Sequence, residues 1–232
     1  MKKGKLIVID GIDGSGKGTQ TELLVKALQA KKIKVKLISF PEYSTNFFGN
    51  FIGYCLKEQY FNFVQVHPKI ASVLFAADRF EAKEKIEKWL QQGFIVIADR
   101  YVSANQIHQG GKITNTKKRE KFIEWLDEME YKVFKIPKPD VIFYLDLPLK
   151  IALKLIKERD LIKKRNYLGQ KKDVHEKDIN FLKNSYKAAQ WLSNRKNKLQ
   201  KNWIIVDCLK DGAIDTRENI HKKIYESVKK FF

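Results

Sequence analysis

The 232-residue chain has little cysteine: Cys55 and Cys208 stand far apart, with no Cys-x-x-Cys pair and no histidine cluster beside either. That spacing offers neither a zinc site nor a disulfide framework, and it suits a reducing cytosol. Apolar runs are also short. None reaches the roughly 18 residues a membrane-spanning helix needs. The basic start, Met1-Lys2-Lys3, is followed only by the apolar stretch Leu6 to Ile9 before Asp10 interrupts, so no export signal is expected. Internal repeats and Pro- or Gly-rich linkers are missing as well, and the length fits one domain over residues 1–232.

Acidic residues are outnumbered, 27 against 46 Lys and Arg, for a net charge of +19. Such a field draws in anions, from nucleotides to RNA. The lysines are spread along almost every predicted helix, however, and there is no RNA-recognition motif or Arg-rich tail. Solvated helix faces account for them without nucleic acid as the main partner.

Five short apolar runs read as buried parallel strands: Leu6 to Ile9, Val35 to Ser39, Phe94 to Ala98, Val141 to Leu145 and Trp203 to Val206. Amphipathic stretches between them read as helices over Gly18 to Lys31, Pro68 to Gln92, Lys117 to Val133, Leu149 to Glu158, Glu176 to Leu199 and Thr216 to Lys230. Alternation of this kind implies a doubly wound α/β fold, a five-stranded parallel sheet flanked by helices. Arg159 to Val174 carries five lysines and arginines from Lys163 to Lys172 with little apolar periodicity, and reads as a short basic lid.

The strongest signal for chemistry is Gly11-Ile12-Asp13-Gly14-Ser15-Gly16-Lys17, set between a strand and a helix. Glycines let the backbone turn its N–H groups onto an anion, the following helix adds its positive end, and Lys17 reaches the outer phosphates. Gly18 stands where Ser or Thr usually offers magnesium a hydroxyl; Thr19 comes one place later. A second signal is the strand ending in Asp99, followed by Arg100-Tyr101. A carboxylate there lies near the phosphate loop, able to hold a hydrated magnesium ion, while Arg100 offers a planar fork to phosphate oxygens. The competing reading is a surface ion pair capping the strand.

The chain resembles the thymidylate kinase family from Lys5 to about Val206, on four separated stretches. These are the phosphate loop with Asp13, Phe40-Pro41-Glu42-Tyr43, Leu74-Phe75-Ala76-Ala77-Asp78-Arg79, and Asp99-Arg100-Tyr101 continuing to Gln106-Ile107-His108-Gln109-Gly110-Gly111. Asp173 to Asp178 with Phe181 is a weaker fifth match. The resemblance implies a P-loop NTPase fold and transfer of phosphate from ATP, with Mg2+, to dTMP by a homodimer in the cytoplasm. It implies that Phe75 stacks on thymine, Arg79 donates to a base carbonyl, Asp13 touches the sugar 3′-hydroxyl or the metal, and Arg100 grips the acceptor phosphate. Phe40, Pro41, Tyr43 and Ser103 would belong to the acceptor site, and Asn105 and Gln109 to its base pocket. Gly14 in place of arginine implies a charge-stabilising arginine from the lid, Arg165 first and Arg159 second. Phe75 also fits plain core packing on a helix, and either lid arginine fits a solvated surface.

Departures from the family pattern keep rival readings open. The Phe40 to Tyr43 turn lacks an arginine, serine falls one residue early at Ser103, and His108 replaces an aromatic ring beside the sugar 2′ position. A kinase for another nucleoside monophosphate or a deoxynucleoside, and a non-catalytic nucleotide- or nucleic-acid-binding protein, are the alternatives.

Overall fold

Strands β1 (Lys5–Gly11), β2 (Val35–Ser39), β3 (Ile95–Asp99), β4 (Val141–Asp146) and β5 (Trp203–Asp207) form one sheet in the computed structural model, in the order β2-β3-β1-β4-β5. All four pairings are parallel. The structure describes residues 3–57, 62–162, 178–193 and 202–232.

The three central strands are almost entirely buried, whereas edge strands β2 and β5 keep exposed positions. Alternation along β1 splits the core in two. Ile7 and Ile9 join the layer containing Leu24, Leu28, Ile220 and Ile224, from helices α1 (Lys17–Ala30) and α9 (Arg217–Val228). Leu6 and Val8 join Ala82, Ile86, Leu90 and Val102 on the other face. Each of the Ile, Leu and Val side chains contributes roughly 1.5 to 3 kcal/mol relative to exposure, and the sheet is thereby held rigid beneath the loops at its C-terminal edge.

The remaining helices are α2 (Phe47–Leu56), α3 (Pro68–Glu81), α4 (Lys83–Gln91), α5 (Val102–Gly111), α6 (Thr116–Asp127), α7 (Leu149–Ile162) and α8 (Ile179–Ser193). A π-helical turn, Glu128–Val133, continues α6, and a two-stranded hairpin, Leu209–Lys210 with Ala213–Ile214, precedes α9. No helix among the described residues is long and apolar enough to cross a membrane.

Two expected boundaries change. The stretch Pro68 to Gln92 is two helices, interrupted at Ala82. Ala82 is a good helix former, so the pattern gives no warning; the division follows partners, since α4 lies on the sheet while α3 packs on α2 and α5. The expected lid begins as helix, because α7 runs through Arg159 to Ile162.

Candidate active site

The phosphate loop occupies the turn from β1 into α1, at the C-terminal edge of the sheet. Gly14 and Gly16 both have positive φ, 81° and 88°, and Gly16 is the residue from which α1 starts. A methyl group at Gly14 would sit 2.5 Å from the Ala152 carbonyl oxygen of α7, so the loop and that helix touch backbone to backbone. Ile12 is fully buried, and the Ser15 hydroxyl is buried without a partner among the described residues. Gly18 is exposed and Thr19 half-buried.

Lys17 is buried and donates to the carbonyls of Gly11 and Ile12 at 3.0 and 2.9 Å, which keeps its ammonium across the mouth of the loop. Burial and the neighbouring Arg100 charge lower its pKa. Asp13 Oδ1 lies 4.0 Å from that ammonium and accepts from Arg100 Nη2. Against the upward push of burial, Arg100 and Lys17 together hold the Asp13 carboxyl below the ordinary carboxylate range. Arg100 itself leaves β3 at φ 66°, a left-handed conformation that costs a non-glycine residue on the order of 1–3 kcal/mol and directs its side chain back over the loop. Its Nη1 donates to His108 Nε2 at 2.9 Å.

Asp99 closes this cluster from the end of β3. Its Oδ1 is buried without a partner among the described residues, and burial raises its pKa while Lys17 and Arg100 pull the other way. Asp99 Oδ2 would lie 3.7 Å from a methyl group placed at Gly18, so the carboxylate faces the start of α1. No group of three or more His, Cys, Asp or Glu side chains able to hold a metal ion occurs among the described residues. One orphaned carboxylate oxygen beside a phosphate loop fits magnesium, which is ordinarily held by one or two carboxylates, water and substrate phosphates.

On the acceptor side, Phe75 is half-buried on α3, its ring 5.9 Å from that of Phe63. Pro41 and Tyr43 are half-buried, and Tyr43 lies within electrostatic reach of Arg100. Asn105 is buried on α5 and donates to Ser72 O and Glu130. Buried Gln109 keeps Oε1 without a partner among the described residues.

Three further expected site residues are also engaged by the protein itself. The Phe40 ring is buried in the core against Tyr101, centroids 5.8 Å apart. Ser103 donates its hydroxyl to Asp10, tying α5 to β1. Arg79 gives Nε and Nη2 to Glu130. Arg159 is half-buried on α7, whereas Arg165 and the Asp173 to Lys177 stretch lie outside the described residues.

Sequence reasoning missed Asp10, Asp78 and Glu130. Asp78 accepts from the Glu42 N–H and from Asn46, clamping the Phe40 to Tyr43 turn onto α3. Asp10 ends the apolar run Leu6 to Ile9, a pattern that could have marked it as partnered, whereas Asp78 beside Arg79 and Glu130 within Asp127 to Lys132 carry no such signal.

A parallel sheet of this order, with a glycine-rich phosphate loop after β1 and a carboxylate at the end of the adjacent β3, defines a P-loop nucleotide-binding protein of kinase architecture. The thymidylate kinase family model matches residues 9–211. Thymidylate kinase of Plasmodium falciparum is 30% identical over 230 residues, covering 99% of this chain and 91% of that one. A probable thymidylate kinase of Pyrobaculum aerophilum is 32% identical over 171 residues, 73% of this chain and 79% of that one. The solved structure of thymidylate kinase from Candida albicans shares the fold, with a TM-score of 0.68 at 24% identity over 98% of this chain and 92% of that one. The chain belongs to the thymidylate kinase family, whose members are nucleoside monophosphate kinases.

Proposed function

We propose that this cleft carries out the reaction of its family, moving the terminal phosphate of ATP onto dTMP to give dTDP in the supply of dTTP. The observation that carries the reading is the cluster of buried Lys17 and Asp13 with half-buried Arg100 and Asp99 at the ends of β1 and β3, beside the N-terminus of α1. Loop N–H groups and the helix end bind the donor phosphates, and Lys17 reaches the outer ones. Arg100 holds the acceptor phosphate with a planar fork. An acceptor phosphate oxygen then attacks the terminal phosphorus in line as the bond to ADP breaks, with no covalent enzyme intermediate.

Magnesium, when bound, neutralises charge on the donor phosphates. Asp99 would hold it through water, since Gly18 supplies no hydroxyl. Asp13 contacts the sugar or the metal, and Arg159 or Arg165 supplies the lid's positive charge. Phe75 stacks on the base. Arg79, Asn105 and Gln109 surround its polar edge, and the buried Gln109 Oε1 is an acceptor suited to the thymine N3–H. Pro41, Tyr43, Ser103 and His108 shape the rest of the acceptor site.

Ile70, Val73 and Phe80 leave 61, 41 and 49% of their surface exposed along α3. A stripe of that spacing is suited to an isologous contact, so the working form is a homodimer of a one-domain chain, in the cytoplasm. A coupled assay for ADP release tests the reading, with dTMP, dUMP, dCMP, UMP or no acceptor added to ATP and Mg2+. Release that requires dTMP is expected. Preference for another acceptor would favour the rival kinase, and no acceptor-dependent release at all would favour a non-catalytic nucleotide binder.

A further inference from the structure

The Arg100 guanidinium is held from two sides, by Asp13 at Nη2 and by His108 at Nη1. A guanidinium has only donors and stays protonated, so His108 Nε2 must present its lone pair. The imidazole proton therefore sits on Nδ1, which lies 3.2 Å from Ser185 Oγ, able to accept it. The ring is 8% exposed and stacks on Phe181, centroids 5.9 Å apart and planes 14° from parallel. Both partners belong to α8, so that helix fixes the ring's place and its tautomer.

The geometry points to His108 as a positioning residue for Arg100: a neutral imidazole that, with Asp13, aims the guanidinium at the acceptor phosphate. The inference rests on the reading of Arg100 as ligand of that phosphate. The two bonds take one hydrogen from each terminal nitrogen, and the outer hydrogens serve a phosphate bidentately. An aromatic hydrocarbon at this position would fill the same space and keep the stack on Phe181. It would leave the guanidinium without an acceptor on that side.

The test compares His108→Phe, which keeps the ring and loses the acceptor, with His108→Gln, which accepts at Oε1 and never gains a proton. With ATP saturating, His108→Phe should raise the KM for dTMP about tenfold or more, while the KM for ATP moves less than about twofold. His108→Gln should recover most of that loss. A wild-type dTMP KM in His108→Phe overturns the proposal. If that variant does not fold, His108→Leu takes its place, and a wild-type dTMP KM there overturns the proposal instead. Arg100→Lys separates the premise: an unchanged dTMP KM there means Arg100 does not hold the acceptor, whereas a raised KM with His108→Phe unaltered sinks only the histidine's role.

Discussion

Glu130 accepts both Nε and Nη2 of Arg79, at 2.7 and 2.6 Å, and the two side chains are 0 and 2% exposed. A π-helical turn delivers the carboxylate and α3 the guanidinium, 51 residues apart in the chain. Asn105 adds a third hydrogen bond from α5. Three elements around the expected base pocket are thus locked through one ion pair.

Removing one partner of such a pair is expected to cost more than removing both. Glu130→Ala leaves the Arg79 charge buried and uncompensated, at about 3–5 kcal/mol, whereas Glu130→Leu combined with Arg79→Met should cost less than Glu130→Ala alone. Urea unfolding of the single and double variants checks this. Equal or greater loss in the double variant would mean that packing, not charge, holds the junction.

The five strands were legible because buried parallel strands are near-continuous apolar runs, and β1, β3 and β4 are of that kind. Helix α5 is not legible as a helix, although its residues form part of a recognisable motif. Nine of its ten residues are buried, many of them polar, so it has no solvent face to set a period against the apolar one. Helix α2 fails differently: Phe47-Phe48-Gly49-Asn50-Phe51 mixes aromatics and glycine with no amphipathic stripe. Gly49 is there because a methyl group would lie 2.2 Å from the Glu42 carbonyl oxygen. For the site, the local strings around Lys17 and Asp99 were readable. What they touch was not, since Glu130 for Arg79, Asp10 for Ser103 and Ser185 for His108 are contacts made only by folding.

Lys17→Ala should remove most phosphate transfer, by roughly 100-fold or more on the scale of a lost charge-stabilising group, while dTMP binding survives. The ammonium is placed by two loop carbonyls and is directed at the donor side. Steady-state turnover paired with calorimetric dTMP titration tests the split. Normal turnover would remove the phosphate loop from the mechanism.

Phe75 is half-buried and shares a ring contact with Phe63, so packing and stacking have to be separated. Phe75→Ala should weaken dTMP binding by about 1 to 3 kcal/mol if a stacked base is lost. Phe75→Leu keeps apolar contact with Phe63 but offers no ring face, and should lose affinity while keeping more stability than the alanine variant. Unchanged dTMP affinity in both would make Phe75 a packing residue only.

Gly14 and Gly16 have nearly the same φ but different surroundings, which makes a controlled pair. At Gly16 an added methyl meets nothing within 4 Å, so Gly16→Ala bears only the left-handed backbone penalty, about 1–2 kcal/mol. At Gly14 the same methyl overlaps the Ala152 carbonyl, which is backbone and cannot swing away. Gly14→Ala should therefore destabilise the nucleotide-free protein clearly more than Gly16→Ala in chemical denaturation. Equal losses would show that α7 yields to the loop at little cost.

Asp78 gives stability a pH dependence whose sign can be worked out. Burial raises its pKa from the ordinary 3.8 to about 6, despite hydrogen bonds from Asn46 and the Glu42 N–H that favour the ionised form. Because the folded value lies above the unfolded one, the native state binds the proton more tightly. The stabilisation is complete below about pH 4 and is lost as pH rises through about 6, by on the order of 3 kcal/mol at most for this group. Asp127, also raised to about 6 by burial, adds a second contribution in the same window. Asp78→Asn should thus reduce, and Asp78→Asn with Asp127→Asn reduce further, the fall in unfolding free energy between pH 4 and 6 measured against the wild type. The remainder belongs to other carboxylates whose pKa burial raises, such as Asp10, Asp99 and Asp146. The absolute stability of the variants is a separate matter, since an amide at position 78 changes which groups can accept from Glu42 and Asn46. Only the slope carries the prediction, and an identical slope in wild type and double variant would refute it.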